Sequence, residues 1–119
     1  MKKDENKASK LEEQFDFGLM LVNLSPHTKN KVNAQELAKT GFGVIADVAN
    51  TYFEDPDLCP PPLKWPPRKK FGDILDEIIN EKTQFDSLEV INLLDKMTTQ
   101  IKNESIKDRV QTLTKNISK

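Results

Sequence analysis

The stretch SLEVINLLDKMTTQIKNESIKDRVQTLTKNI, residues 87–117, decides the fold class, because its apolar residues recur at steps of four and three. That spacing places side chains on one face of an α-helix. Two stripes follow one another, Val90, Leu94, Met97, Ile101 and then Ile106, Val110, Leu113, Ile117. The step of five between Ile101 and Ile106 means that the two stripes do not continue on one face of a straight helix. The sequence therefore predicts a break near Asn103, or one long helix that changes the face it presents.

Signals for helix starts precede both stripes. Asp86 with Glu89 three residues later matches a capping box, in which each side chain accepts a hydrogen bond from the other residue's backbone N–H. Ser105 with Asp108 predicts the second start in the same way. Further upstream, Asp73 is expected to cap a short helix with one apolar face, made of Ile74, Leu75, Ile78 and Ile79.

The first 24 residues divide into a polar tail and an apolar helix. Residues 1–9 are polar and are expected to form a flexible tail, with one helical domain over residues 10–119. From Lys10 two apolar stripes predict a helix that is buried on more than one side. They comprise Leu11, Phe15, Leu19, Val22 and Phe17, Met20, Leu21, Leu24. This helix should end before Pro26, because the residue ahead of a proline avoids the helical region.

A second helix is predicted from Asn33, which has Glu36 three residues later, to the Asp55-Pro56 pair. Its expected buried face carries Leu37, Val44, Ile45, Val48, Tyr52 and Phe53. Gly41 and Gly43 lie inside it, where each glycine costs about 1 kcal/mol relative to alanine. They either allow close approach of another helix or mark a break.

Residues 55–72 form a proline-rich segment between the second and third helices, with six of the chain's seven prolines between Pro56 and Pro67. Proline fixes the φ angle and removes a backbone donor, so the segment should be stiff and extended. Two hypotheses remain open. It is either a packed crossover, with Leu58, Leu63 and Trp65 on the helices, or an exposed binding loop. The candidate binding residues are Leu63, Trp65, Arg68, Lys69 and Lys70, since tryptophan and arginine are enriched at interface hot spots.

These patterns predict an all-α protein: a small bundle of four to five helices with a proline-rich crossover loop between helices 2 and 3. The net charge is −1, so no global field attracts the chain to nucleic acid or to anionic lipid. One cysteine cannot form an internal disulfide. The N-terminus lacks a signal-peptide pattern, and we expect a soluble, cytoplasmic protein without a membrane segment.

Catalytic chemistry is poorly supported by the residue types. The single histidine, His27, lies in a polar turn, and Cys59 has no neighbouring base in the sequence. The third helix also carries acidic groups on one side, at Asp73, Asp76, Glu77 and Glu81. They could bind a metal, but such carboxylates are typical of a solvated face that the helix dipole favours. We therefore predict no catalytic residues, no metal and no cofactor.

The segment Asn33–Asn50 resembles the start of a helix-turn-helix, with Ala38 followed by Gly41. The helix that would enter the DNA groove, from Val44 to Phe53, contains no Lys or Arg. Affinity for DNA depends on such cations, so nucleic-acid binding is the weaker prediction. It would use this segment, or the basic groups at 68–70 and near the C-terminus.

The remaining prediction is a small, non-enzymatic protein-protein interaction module, such as an adaptor, an inhibitor or immunity protein, a chaperone or a complex subunit. Its partner would be another protein, and a homo-oligomer is possible. Nucleic-acid binding stays as the alternative.

Overall fold

The computed structural model describes residues 2–58, 70–82, 84–101 and 103–118; the side chains of residues 2–9, 58, 70, 72 and 74 are outside this description. The described residues form five α-helices: α1 Lys2–Leu24, α2 Lys31–Glu54, α3 Lys70–Glu81, α4 Ser87–Thr98 and α5 Glu104–Ser118. Short 3-10 turns span Ser25–His27 and Pro56–Leu58. The predicted small all-α bundle is confirmed. Most of the proline-rich crossover, residues 59–69, lies outside the described residues.

The first two helices pack antiparallel, with Leu11 beside Val48 at one end of the contact and Val22 against Gly41 at the other. A Cβ atom on Gly41 would lie 2.8 Å from Cγ2 of Val22. Since α2 runs unbroken from Lys31 to Glu54, Gly41 serves close approach and does not mark a break.

One core joins α1 to the three C-terminal helices. Phe17, Met20, Leu21 and Leu24 are fully buried there, so the prediction that α1 is buried on more than one side is confirmed. Phe17 meets Phe71 of α3 edge to face, with ring centroids 5.5 Å apart. Both predicted C-terminal stripes are buried in this core.

Two predicted local features are confirmed. The Asp86–Glu89 capping box is complete, with Oδ1 of Asp86 accepting from the N–H of Glu89 at 2.9 Å. The chain also leaves the helix between Thr98 and Glu104, so the break near Asn103 is present.

Several predicted helix starts are wrong. Helical backbone begins at Lys2, eight residues before the predicted start at Lys10, while the flexibility expected of residues 1–9 stays a prediction. Asn30, rather than Asn33, caps α2 and accepts from the N–H groups of Val32 and Asn33. Asn103, rather than Ser105, precedes α5, and its Oδ1 accepts from the Ser105 N–H at 3.0 Å.

The predicted cap of α3 is also wrong, because the helix begins at Lys70 and places Asp73 in its first turn. The buried carboxylate of Asp16, on α1, accepts a hydrogen bond from the N–H of Phe71 at 2.9 Å. The first N–H groups of a helix have no acceptor within the helix. A side chain 55 residues away in the sequence therefore supplies the acceptor for an N–H group at the start of α3.

Hydrogen bonds between two connections hold the ends of the helices together. The N–H of Phe85 donates to the carbonyl of His27 at 2.8 Å, and the N–H of Lys29 donates to the carbonyl of Phe85 at 2.9 Å. This bridge ties the α1–α2 connection to the α3–α4 connection. None of the described helices has the length and hydropathy that a membrane crossing needs.

Candidate functional site

The binding residues predicted from the proline-rich segment are not tested by the structure. Leu63, Trp65, Arg68 and Lys69 lie outside the described residues. Lys70 is the first residue of α3, but its side chain is not among those that the structure describes. Their role in binding stays a prediction.

An apolar stripe faces solvent along α2 and was not anticipated by the sequence patterns. It consists of Phe42, Ala46, Ala49 and Phe53, and we call it the outer α2 face. Phe42 is 59% exposed and Phe53 is 84% exposed. Ala46 is exposed and Ala49 is half-buried. The prediction that Phe53 lies in the buried face of this helix is therefore wrong.

The same helix carries a buried stripe with identical spacing. Leu37, Gly41, Val44 and Val48 are buried against the rest of the protein. Each member of the outer α2 face follows one of these residues by five positions, which is about 140° around a helix. The helix thus has two apolar seams, and the core uses only one. A search for both seams, rather than for the best one, would have found the exposed stripe in the sequence.

The C-terminal end of this face is concave. Ala49, Tyr52, Phe53 and Pro56 line a depression of about 370 Å³. Pro56 lies two residues after the last residue of α2 and opens the short 3-10 turn there. The depression can accept an apolar side chain from another molecule, with Phe53 as one wall.

Charges are unequally distributed along α2. Exposed Lys39 lies one turn before Phe42. Beyond Phe53, the exposed acidic residues Glu54, Asp55 and Asp57 follow within four positions. The outer α2 face therefore has a cationic group at one end and an acidic cluster at the other.

Part of the set of residues predicted for nucleic-acid binding lies in the described residues, while binding itself stays a prediction. A helix-turn-helix needs a turn, whereas residues 33–50 lie within the single continuous helix α2. Arg109 of α5 donates to the carboxylate of Asp47 on α2. Lys107 lies 3.6 Å from the carboxylate of Glu104. Two of the C-terminal cations are thus engaged within the chain, and the helix-turn-helix interpretation is wrong.

Two further grooves border α5. One, of about 390 Å³, lies between α2 and α5 beside Gly43 and Arg109, and most of the residues that line it are polar or charged. The other, of about 630 Å³, lies between the starts of α2 and α4 and the end of α5. Val32 and Leu88 line it and are each 66% exposed. These two side chains form a second exposed apolar surface.

Metal-binding and nucleophilic residue types were the candidates for catalytic chemistry. No cluster of three or more His, Cys, Asp or Glu residues that could hold a metal ion occurs there. His27 lies in the turn after α1, and Cys59 is outside the described residues. The prediction that the protein is not an enzyme stays untested.

Comparisons of the chain with protein-family models, with curated proteins and with solved structures find no match.

Proposed function

We propose that the protein is a small, non-enzymatic interaction module that binds a helical protein segment through the outer α2 face. The observation that supports this most strongly is the exposure of Phe42 and Phe53 on a helix whose opposite face is buried. Aromatic side chains are enriched among the residues that contribute most to binding. Leaving two of them in water on one stripe stabilises nothing in the isolated chain.

The spacing of the stripe indicates the kind of partner. Steps of four, three and four, from Phe42 to Phe53, form the seam by which one helix packs along another. Ala46 and Ala49, in the middle of the seam, leave room for a second backbone. The partner surface is therefore a helix with apolar groups that meet the two phenylalanine side chains.

The test compares charge substitutions on two exposed apolar surfaces. Tagged wild-type protein, Phe53→Glu and Leu88→Glu are expressed in the native cell, and the proteins that co-purify are identified and then produced in pure form. Phe53→Glu should abolish binding of the purified partner, whereas Leu88→Glu, which places the same charge on the other apolar surface, should retain it. Equal binding by all three proteins would show that the outer α2 face is not the binding surface.

A further inference from the structure

We infer that the partner of the outer α2 face is a second copy of this chain, with the two α2 helices packed antiparallel. The inference rests on the proposed function, since it names the partner of the same surface. A symmetric dimer uses the same patch on both copies, so that patch must be complementary to itself.

The outer α2 face meets this condition because its residue types and spacings read the same in both directions along the helix. Phe42, Ala46, Ala49 and Phe53 are symmetric in type and spacing about the midpoint between residues 47 and 48. A twofold axis through that point places Phe42 opposite the partner's Phe53, and Ala46 opposite the partner's Ala49. Alanine pairs allow close approach at the centre, and aromatic pairs, which gain from edge-to-face contact, close both ends.

Charge selects the antiparallel orientation. In that arrangement Lys39 approaches the C-terminal end of the partner subunit's α2, where the acidic cluster and the negative end of the helix dipole lie. A parallel pair would instead place Glu54, Asp55 and Asp57 of one copy against the same residues of the other. Like charges in register are repulsive. The antiparallel dimer forms two of the favourable contacts between Lys39 and the acidic cluster, and the twofold axis relates them.

The first experiment measures the mass of the full chain by sedimentation equilibrium. Between about 1 µM and about 1 mM, the mass should rise from one chain to two. Phe42→Glu and Phe53→Glu should each raise the dissociation constant more than about tenfold, because they bury a charge at the aromatic layers. Leu88→Glu should leave it unchanged. Since Phe42 and Phe53 are exposed, these variants should keep the circular dichroism spectrum of the wild type.

The second experiment measures orientation in a Cys59→Ser background. Ala46→Cys and Ala49→Cys proteins are mixed and oxidised. An antiparallel dimer links the two different proteins, because residue 46 of one copy lies opposite residue 49 of the other. A preference for disulfides between two copies of the same variant would overturn the antiparallel arrangement.

Different experimental results would contradict the dimer and the proposed function. A chain that remains monomeric up to about 1 mM overturns the dimer. If that monomer still binds a different purified protein in a manner that depends on Phe53, the interaction module stands without the dimer. If no binding of any kind depends on Phe53, both are wrong. A dimer that Leu88→Glu disrupts and Phe53→Glu does not would also overturn the inference, because its interface lies elsewhere.

Discussion

A Cβ atom on Gly41 would lie only 2.7 Å from the carbonyl oxygen of Gly18, so α1 and α2 cross with their backbones in near contact. In the other direction, a Cβ atom on Gly18 would lie 2.9 Å from Cγ1 of Ile45. Such distances are shorter than any real Cβ contact allows. The crossing is therefore possible only because both positions lack a side chain.

Gly41→Ala should lower the free energy of unfolding. Overpacking a core costs about 1–3 kcal/mol, and the neighbouring atom here is a backbone oxygen that cannot rotate away. The gain in helix propensity is about 1 kcal/mol and offsets only part of this cost. Urea denaturation followed by circular dichroism measures the difference.

Gly43→Ala is the matched control on the same helix. Its Cβ atom would lie 3.6 Å from Nη1 of Arg109, which is an ordinary contact. We expect this variant to be unchanged or more stable by up to about 1 kcal/mol, from helix propensity alone. Equal effects of the two substitutions would show that the crossing does not depend on Gly41.

Features that arise within a few neighbouring residues could be predicted from the sequence, and features that need distant partners could not. The stripes of α4 and α5 and the Asp86 capping box depend on spacing along one helix. Asn33 shows the other case. It has the residue type of a helix cap, but its amide donates to Oγ of Ser87 at 2.5 Å, and Asn30 caps the helix instead. The exposed stripe on α2 escaped prediction because spacing alone does not show which of two apolar seams the core covers.

Asp16→Ala should destabilise the protein by about 1–3 kcal/mol, since it leaves the buried N–H of Phe71 without its carboxylate acceptor. Asp16→Asn retains an acceptor oxygen and should cost less. Asp73→Ala is the comparison, because Asp73 is exposed in the first turn of the same helix. Loss of its charge there should cost at most about 1 kcal/mol. Chemical denaturation ranks the three variants, and a larger loss from Asp73→Ala than from Asp16→Ala would refute this account of how α3 begins.

The ion pair between Lys82, which follows α3, and Glu89 of α4 predicts a dependence of stability on pH. A hydrogen bond from Lys82, supported by one from the backbone N–H of Asp86, holds the pKa of Glu89 below its ordinary value of 4.5. A carboxyl with a lowered folded-state pKa stabilises the protein above its unfolded pKa, and this contribution disappears as pH falls through the folded pKa. Glu89→Gln should therefore be less stable than the wild type at pH 7 and equally stable once Glu89 is protonated in both states.

The double-mutant cycle of Lys82→Gln with Glu89→Gln isolates this interaction. Its coupling energy, from denaturation at a series of pH values, should be favourable at neutral pH and fall to zero in acid. The pair is partly exposed, with side-chain exposures of 48% and 29%, so added salt should also weaken the coupling. A coupling energy that is constant with pH would exclude the carboxylate of Glu89 as its source.

Trp65→Ala separates the two hypotheses for the proline-rich segment, because Trp65 lies in the part of it, residues 59–69, that is outside the described residues. If the segment is a packed crossover, removal of this side chain should lower the free energy of unfolding by about 3 kcal/mol or more, as for other large core truncations. Trp65→Phe should restore much of that loss, because it refills most of the volume. Circular dichroism must follow the denaturation, since Trp65 is the only tryptophan and its removal abolishes the intrinsic fluorescence signal of this residue type. Wild-type stability in both variants, together with weaker binding of a purified partner, would instead identify an exposed binding loop, and Leu63 and Arg68 would be the next positions to replace.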